Sequence, residues 1–130
     1  MRWTQIAERR VDDVAILDLR GHPGDLELEL RLITKIDELL RSGHSRILLN
    51  LRHVMRVDAV GLGTIVRGCA AAREAKATMK LIVSPSLMKT IRTTQLDTAL
   101  DIFDLESEAL GSFVIDQGAR RSRRQELPDR

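Results

Sequence analysis

His22, His44 and His53 are the only imidazoles in the 130 residues, and Cys69 is the only thiol. Imidazoles that hold a metal recur at short spacing on one face of an element, and these three do not. No Gly-x-Ser-x-Gly elbow presents a serine nucleophile, and no glycine-rich loop ends in Lys-Ser or Lys-Thr to cradle phosphates. Gly61-x-Gly63 followed by Gly68 places the third glycine too late for a dinucleotide fingerprint. Asp12-Asp13 reads as turn chemistry. The residue types that acid–base or nucleophilic catalysis needs do not cluster. The chain is therefore read as a non-enzyme with no catalytic residue, no metal and no cofactor. Cys69 lies on the apolar stripe of a helix and is read as a small buried hydrophobe.

The segment Val57-Asp58-Ala59-Val60-Gly61-Leu62-Gly63 holds a different kind of chemistry. It follows an apolar strand and opens a helix. Asp58 is placed to cap the free N–H groups of the first turn. Ala59 and Val60 then sit where backbone donors and the helix dipole favour an anion. Val60 faces solvent if Leu62 and Ile65 face inward. By spacing alone this is an ordinary strand-to-helix turn; a binding surface is the more specific reading.

The elements that must position this turn follow from hydrophobic periodicity. Thr4 to Arg10 and Val14 to Arg20 read as two strands, with a tight hairpin turn at Asp12-Asp13. Gly21-His22-Pro23-Gly24 breaks the pattern, and Asp25 is a candidate N-cap. A helix is expected from Leu26 to Arg41. Ile33, Ile36, Leu39 and Leu40 form its apolar stripe, broadened by Leu26, Leu30 and Leu32. Gly43 suits its left-handed C-terminal position. Arg46 to Leu51 reads as a strand buried on both faces.

The helix after Asp58 carries Leu62, Ile65, Val66 and Cys69 inward. Gly61, Gly63 and Gly68 each weaken it by about 1 kcal/mol relative to alanine, so close approach to a sheet or a partner is the expected reason for them. Thr78 to Val83 is a further strand. Ser84-Pro85-Ser86 opens a short helix, a last short strand lies around Ile102 and Phe103, and a terminal helix begins near Ser107. Strands alternating with helices predict an α/β domain with a mixed, mainly parallel sheet.

The length suits one domain, expected over residues 1–118, and residues 119–130 are expected to be a basic, disordered tail. The formal net charge of +2 is too small to imply a nucleic-acid partner, and its excess is local to Arg120, Arg121, Arg123 and Arg124. No apolar run reaches the roughly 20 residues that span a bilayer, and no apolar signal core opens the chain. A cytoplasmic location without membrane insertion is expected.

From Val11 to Leu110 the chain resembles the STAS domains of bacterial anti-sigma factor antagonists and of sulphate transporters. Leu19-Arg20-Gly21, Ile47-Leu48-Leu49-Asn50-Leu51, Val57-Asp58 with Gly61-Leu62-Gly63, Ser84-Pro85-Ser86, Leu96-Asp97, Asp101-Ile102-Phe103 and Ser107-Glu108-Ala109-Leu110 carry the resemblance by their order and spacing. It implies a STAS-like sheet of four or five strands with about four helices. It also implies partner switching in transcription regulation. In such antagonists the unmodified form binds an anti-sigma factor that is also a serine kinase, and phosphorylation of the residue after the signature Asp releases it. The phosphoryl group adds about two negative charges at the centre of a docking surface, which costs desolvation and repulsion across the interface.

The chain departs from that pattern at the acceptor itself. Ala59 and Val60 carry no hydroxyl, so the phosphoacceptor-equivalent position cannot be phosphorylated. Gly24 stands where relatives place an Asp, with Asp25 one residue late. Thr64 is the nearest hydroxyl. The expectation is a non-catalytic regulator that docks onto an anti-sigma factor or serine-protein-kinase-like ATPase without modification at the usual site. A scaffold subunit of a signalling assembly or of a membrane transporter complex is the alternative, and a homodimer is compatible with either. The expected partner surface comprises His22, Gly24, Asp25, Arg56, Asp58, Ala59, Val60, Gly61, Leu62, Gly63, Thr64 and Arg67. Within it Leu62 serves to anchor the turn, and Ala59, Val60, Thr64 and Arg67 are the direct contacts.

Overall fold

A computed structural model describes residues 5–20, 26–54 and 57–114, with side chains 26–29 left aside. The element order is β1 (Gln5–Val11), β2 (Val14–Arg20), α1 (Leu26–Arg41), β3 (Arg46–His53), α2 (Ala59–Glu74), β4 (Thr78–Val83), α3 (Pro85–Thr93) and β5 (Ile102–Phe103). A further helix, α4, occupies residues 106–114 of the described chain. The five strands lie side by side in chain order. β1 pairs antiparallel with β2, from Gln5 opposite Arg20 to Val11 opposite Val14. β2, β3, β4 and β5 run parallel.

The hairpin forms because Asp12 and Asp13 both adopt left-handed backbone angles, with φ of 47° and 68°. Two such residues make the turn whose twist matches the flanking strands. Gly43, at φ 88°, ends α1 as expected.

Side chains of the strands alternate between two cores, as a period of two requires. Ala15, Leu17, Leu19, Ile47, Leu49, Leu51, Met79, Leu81 and Val83 face α1, α2 and α3 in the larger core. Val14, Ile16, Leu48 and Ile82 face the opposite way, where Ala109 and Phe113 of α4 cover them. Three helices therefore lie on one face of the sheet and α4 covers part of the other.

Lys80 shares that second face and is 2% exposed. Its Nζ donates to Ser112 Oγ at 2.7 Å, lies 3.4 Å from Asp101 Oδ2, and sits 4.9 Å and 5.4 Å from the centres of the Phe113 and Phe103 rings. An ammonium over two ring faces with a hydroxyl acceptor has replaced much of its lost hydration.

The α1 stripe differs from expectation. Leu32, Ile36 and Leu39 are buried, but Ile33 is 36% exposed and Leu30 is 58% exposed. Each helical residue advances about 100°, so with Leu32, Ile36 and Leu39 centred on the sheet, Ile33 turns toward α2 and Leu30 toward β1. The α2 stripe is as predicted, with Leu62, Ile65 and Cys69 buried and Val66 partly so. β5, at two residues, is the short strand expected at Ile102 and Phe103.

Candidate functional site

Among the described residues, a capping bond to Asp58 opens α2. Asp58 has extended backbone angles, and its Oδ1 accepts the N–H of Gly61 at 2.8 Å. A carboxylate here satisfies a donor that the helix cannot satisfy internally and complements the positive end of its dipole. Leu62 N–H donates to Asp58 O at 2.9 Å, which begins the helical ladder.

Periodicity then divides the first turns. Leu62 is 5% exposed and Ile65 2%, so the turn is anchored in the larger core. Ala59 and Val60 face out, and Val60 is 57% exposed. Gly61 is buried, Gly63 half-buried, and Arg67 exposed one turn further on. A Cβ on Gly63 would meet nothing within 4 Å, so no close approach within the chain requires glycine there. Gly68 differs: its Cβ would lie 2.9 Å from Ile36 Cδ1 and 3.6 Å from Met79 Cε, so this glycine lies where α2 packs against both α1 and β4 of the sheet.

Thr64 corrects one expectation. It is 1% exposed, its Oγ1 donates to Val60 O at 3.1 Å, and it accepts from Arg67 Nη2 at 3.4 Å. A threonine that bonds back to the preceding turn faces along the helix. Thr64 therefore offers no side chain to a partner and sets Arg67 instead. His22, Gly24, Asp25 and Arg56 lie outside the described residues. Ala59, Val60, Gly63 and Arg67 do share one outward face of α2.

Ile33 is a surface residue that the sequence reading assigned to the apolar core stripe of α1. It lines a groove of about 430 Å³ between α1 and α2, together with Arg67, Gly68 and Ala71. The signal was available: with Leu32, Ile36 and Leu39 taken as the centre of the stripe, Ile33 falls at its edge. The outer surface of this helix pair thus carries apolar side chains at Ile33 and Val60 with a guanidinium at Arg67.

Cys69 is buried beneath the same helix, and burial pushes its thiol up to about 11. A thiol so far above neutral pH is a poor nucleophile. Among the described residues no three His, Cys, Asp or Glu side chains come together to hold a metal ion. No described helix is long and apolar enough to cross a membrane.

This arrangement has counterparts of known structure. A candidate anti-sigma factor antagonist of Thermotoga maritima superposes with a TM-score of 0.71 at 26% identity, over 82% of this chain and 92% of that one. The chain carries the STAS fold of the anti-sigma factor antagonists. An anti-sigma factor antagonist of Mycobacterium paratuberculosis shares that STAS fold at a TM-score of 0.71 and 18% identity, over 85% of this chain and 93% of that one. The antagonist SpoIIAA of Bacillus, in its unphosphorylated form, shares it at 0.66 and 22% identity, over 84% and 96% of the two chains. No protein-family model and no curated protein sequence matches the chain. The mixed, mainly parallel STAS sheet is what the resemblance from Val11 to Leu110 implied.

Proposed function

We propose that this chain is an anti-sigma factor antagonist-like regulator that binds its protein partner through the outer face of α2. The partner is an anti-sigma factor of the serine-kinase-like ATPase class. The observation that carries the reading is the turn after β3. It is capped by Asp58 and anchored by Leu62, and it presents Ala59 and the 57%-exposed Val60 outward. Docking there buries apolar surface while Arg67 contributes charge selectivity. His22, Gly24, Asp25 and Arg56 extend the surface in this reading. SpoIIAA, which has the same fold, has been solved in phosphorylated and unphosphorylated forms.

The switch is absent here because Ala59 has no hydroxyl and the Thr64 hydroxyl is buried. Binding is then controlled by supply and competition. The partner is recovered by pull-down from native extract and titrated calorimetrically. Ala59→Glu, which places an unpaired charge in the interface, weakens binding by about tenfold or more. Unchanged affinity overturns the surface. Incubation with that kinase and ATP leaves the α2 turn unmodified by mass spectrometry; phosphate on Thr64 overturns the unswitched reading.

A further inference from the structure

A second candidate site, sharing no residue with the α2 surface, lies at the carboxyl ends of the parallel strands. Arg52 near the end of β3, Val83 at the end of β4, the outer face of α3, and Asp104 and Leu105 after β5 enclose a cavity of about 1080 Å³. Open α/β sheets bind ligands at this end of their strands.

The cavity is cationic. Arg52, Lys89 and Arg92 line it against the single carboxylate of Asp104. None of these three cations forms an ion pair with a described residue, although the chain pairs Arg9, Arg10, Lys35, Arg41 and Lys80 elsewhere. Lys89 and Arg92 are three residues apart on α3 and so share a face, and Ser86 lies three residues before Lys89 on it. Three cations facing one carboxylate, none of them ion-paired with a described residue, leave an excess of positive charge that an anion would relieve. Met88 and the 44%-exposed Leu105 add apolar wall.

The space, about 1080 Å³ and open to solvent, lies just above the roughly 300–1000 Å³ of small-ligand sites and has room for more than one inorganic anion. We propose that this cavity binds a phosphorylated small molecule, a phosphate monoester with an apolar body. Arg52, Lys89 and Arg92 hold the phosphate, and Met88 and Leu105 contact the body. The site shares no residue with the α2 surface, so it stands or falls independently of the partner reading.

Amide-resolved NMR titration of the full chain tests it, with phenyl phosphate and inorganic phosphate as probes. Phenyl phosphate produces saturable shifts at Arg52, Ser86, Lys89 and Arg92, and binds about fivefold or more tighter than inorganic phosphate. The double variant Arg52→Ala with Arg92→Ala loses about tenfold or more of that affinity. Its thermal midpoint stays close to wild type because both side chains are exposed. Arg41→Ala, on α1, leaves the affinity unchanged. Shifts that fail to saturate, equal affinity for the two probes, or an undiminished response in the double variant overturns the proposal. So does a poly-glutamate peptide that displaces phenyl phosphate at lower concentration, which makes the cavity a groove for acidic protein segments.

Discussion

Asp58 Oδ1 accepts the Gly61 N–H at 2.8 Å, and the residue between cap and helix interior is Ala59, where the resemblance places a phosphoacceptor. The bond holds the turn in shape whether or not a hydroxyl is present. Asp58→Ala therefore lowers stability by about 1 kcal/mol, while Asp58→Asn, a comparable cap, costs only a few tenths. Urea unfolding of the two variants checks this. Equal losses would mean that the carboxylate charge, not the acceptor oxygen, holds the turn.

Gly63 separates fold from function. Nothing lies within 4 Å of a Cβ there, so Gly63→Ala gains helix propensity and stabilises the chain by about 0.5–1 kcal/mol. If a partner packs closely on α2, the same variant binds it less well. Thermal unfolding reads the first effect and calorimetry with the recovered partner the second.

Lys80 ties α4 to the sheet through its 2.7 Å bond to Ser112 Oγ and its two ring contacts. Lys80→Ala removes both volume and hydrogen bonding, and costs about 2–4 kcal/mol. Lys80→Met keeps the volume and gives up the charge, and costs about 1 kcal/mol or less, because buried charges repay their desolvation poorly. Denaturant midpoints distinguish the two; a methionine variant as unstable as the alanine variant would make the ammonium the essential group.

Asp18 sets an acid limit. Arg9 donates to it, with Nη2–Oδ1 at 3.0 Å, and Asn50 Nδ2 donates at 2.8 Å. The Arg9 bonds come first among the causes that hold its carboxyl below the ordinary aspartate range, with burial opposing them. A depressed folded value means the pair stabilises above the unfolded aspartate value of about 3.9 and loses that contribution as pH falls below it. Asp18→Asn therefore costs about 1 kcal/mol near neutral pH and flattens the acid limb of the stability profile. Denaturation followed between pH 2 and 6 checks the difference; parallel wild-type and variant curves would remove Asp18 from the acid response.

Arg9 also reaches Glu106 of α4, with Nη2–Oε1 at 2.6 Å. That pair joins the first strand to the last described helix across 97 positions. No periodicity signals it, since sequence pattern reports which face a residue takes and not which distant charge waits there. The same limit hid the burial of Lys80. The Thr78–Val83 alternation places it opposite Met79 and Leu81, but only α4 decides that this face is covered.

The sequence by itself determined what depends on near neighbours. Asp12-Asp13 made the hairpin, Asp58 the cap and Gly43 the helix end, because backbone angles and capping bonds are settled within a few residues. The near-continuous apolar run from Ile47 to Leu51 likewise predicted a strand buried on both faces, because successive side chains point to opposite sides and an apolar residue at each leaves neither side for solvent. Tertiary structure alone decided what depends on elements meeting. It turned Ile33 and Leu30 out of the core, sealed Thr64 and Lys80 within it, and gathered Arg52, Lys89 and Arg92 around one cavity. Those outcomes come from how helices seat on the sheet, where a rotation of one residue exchanges core for solvent.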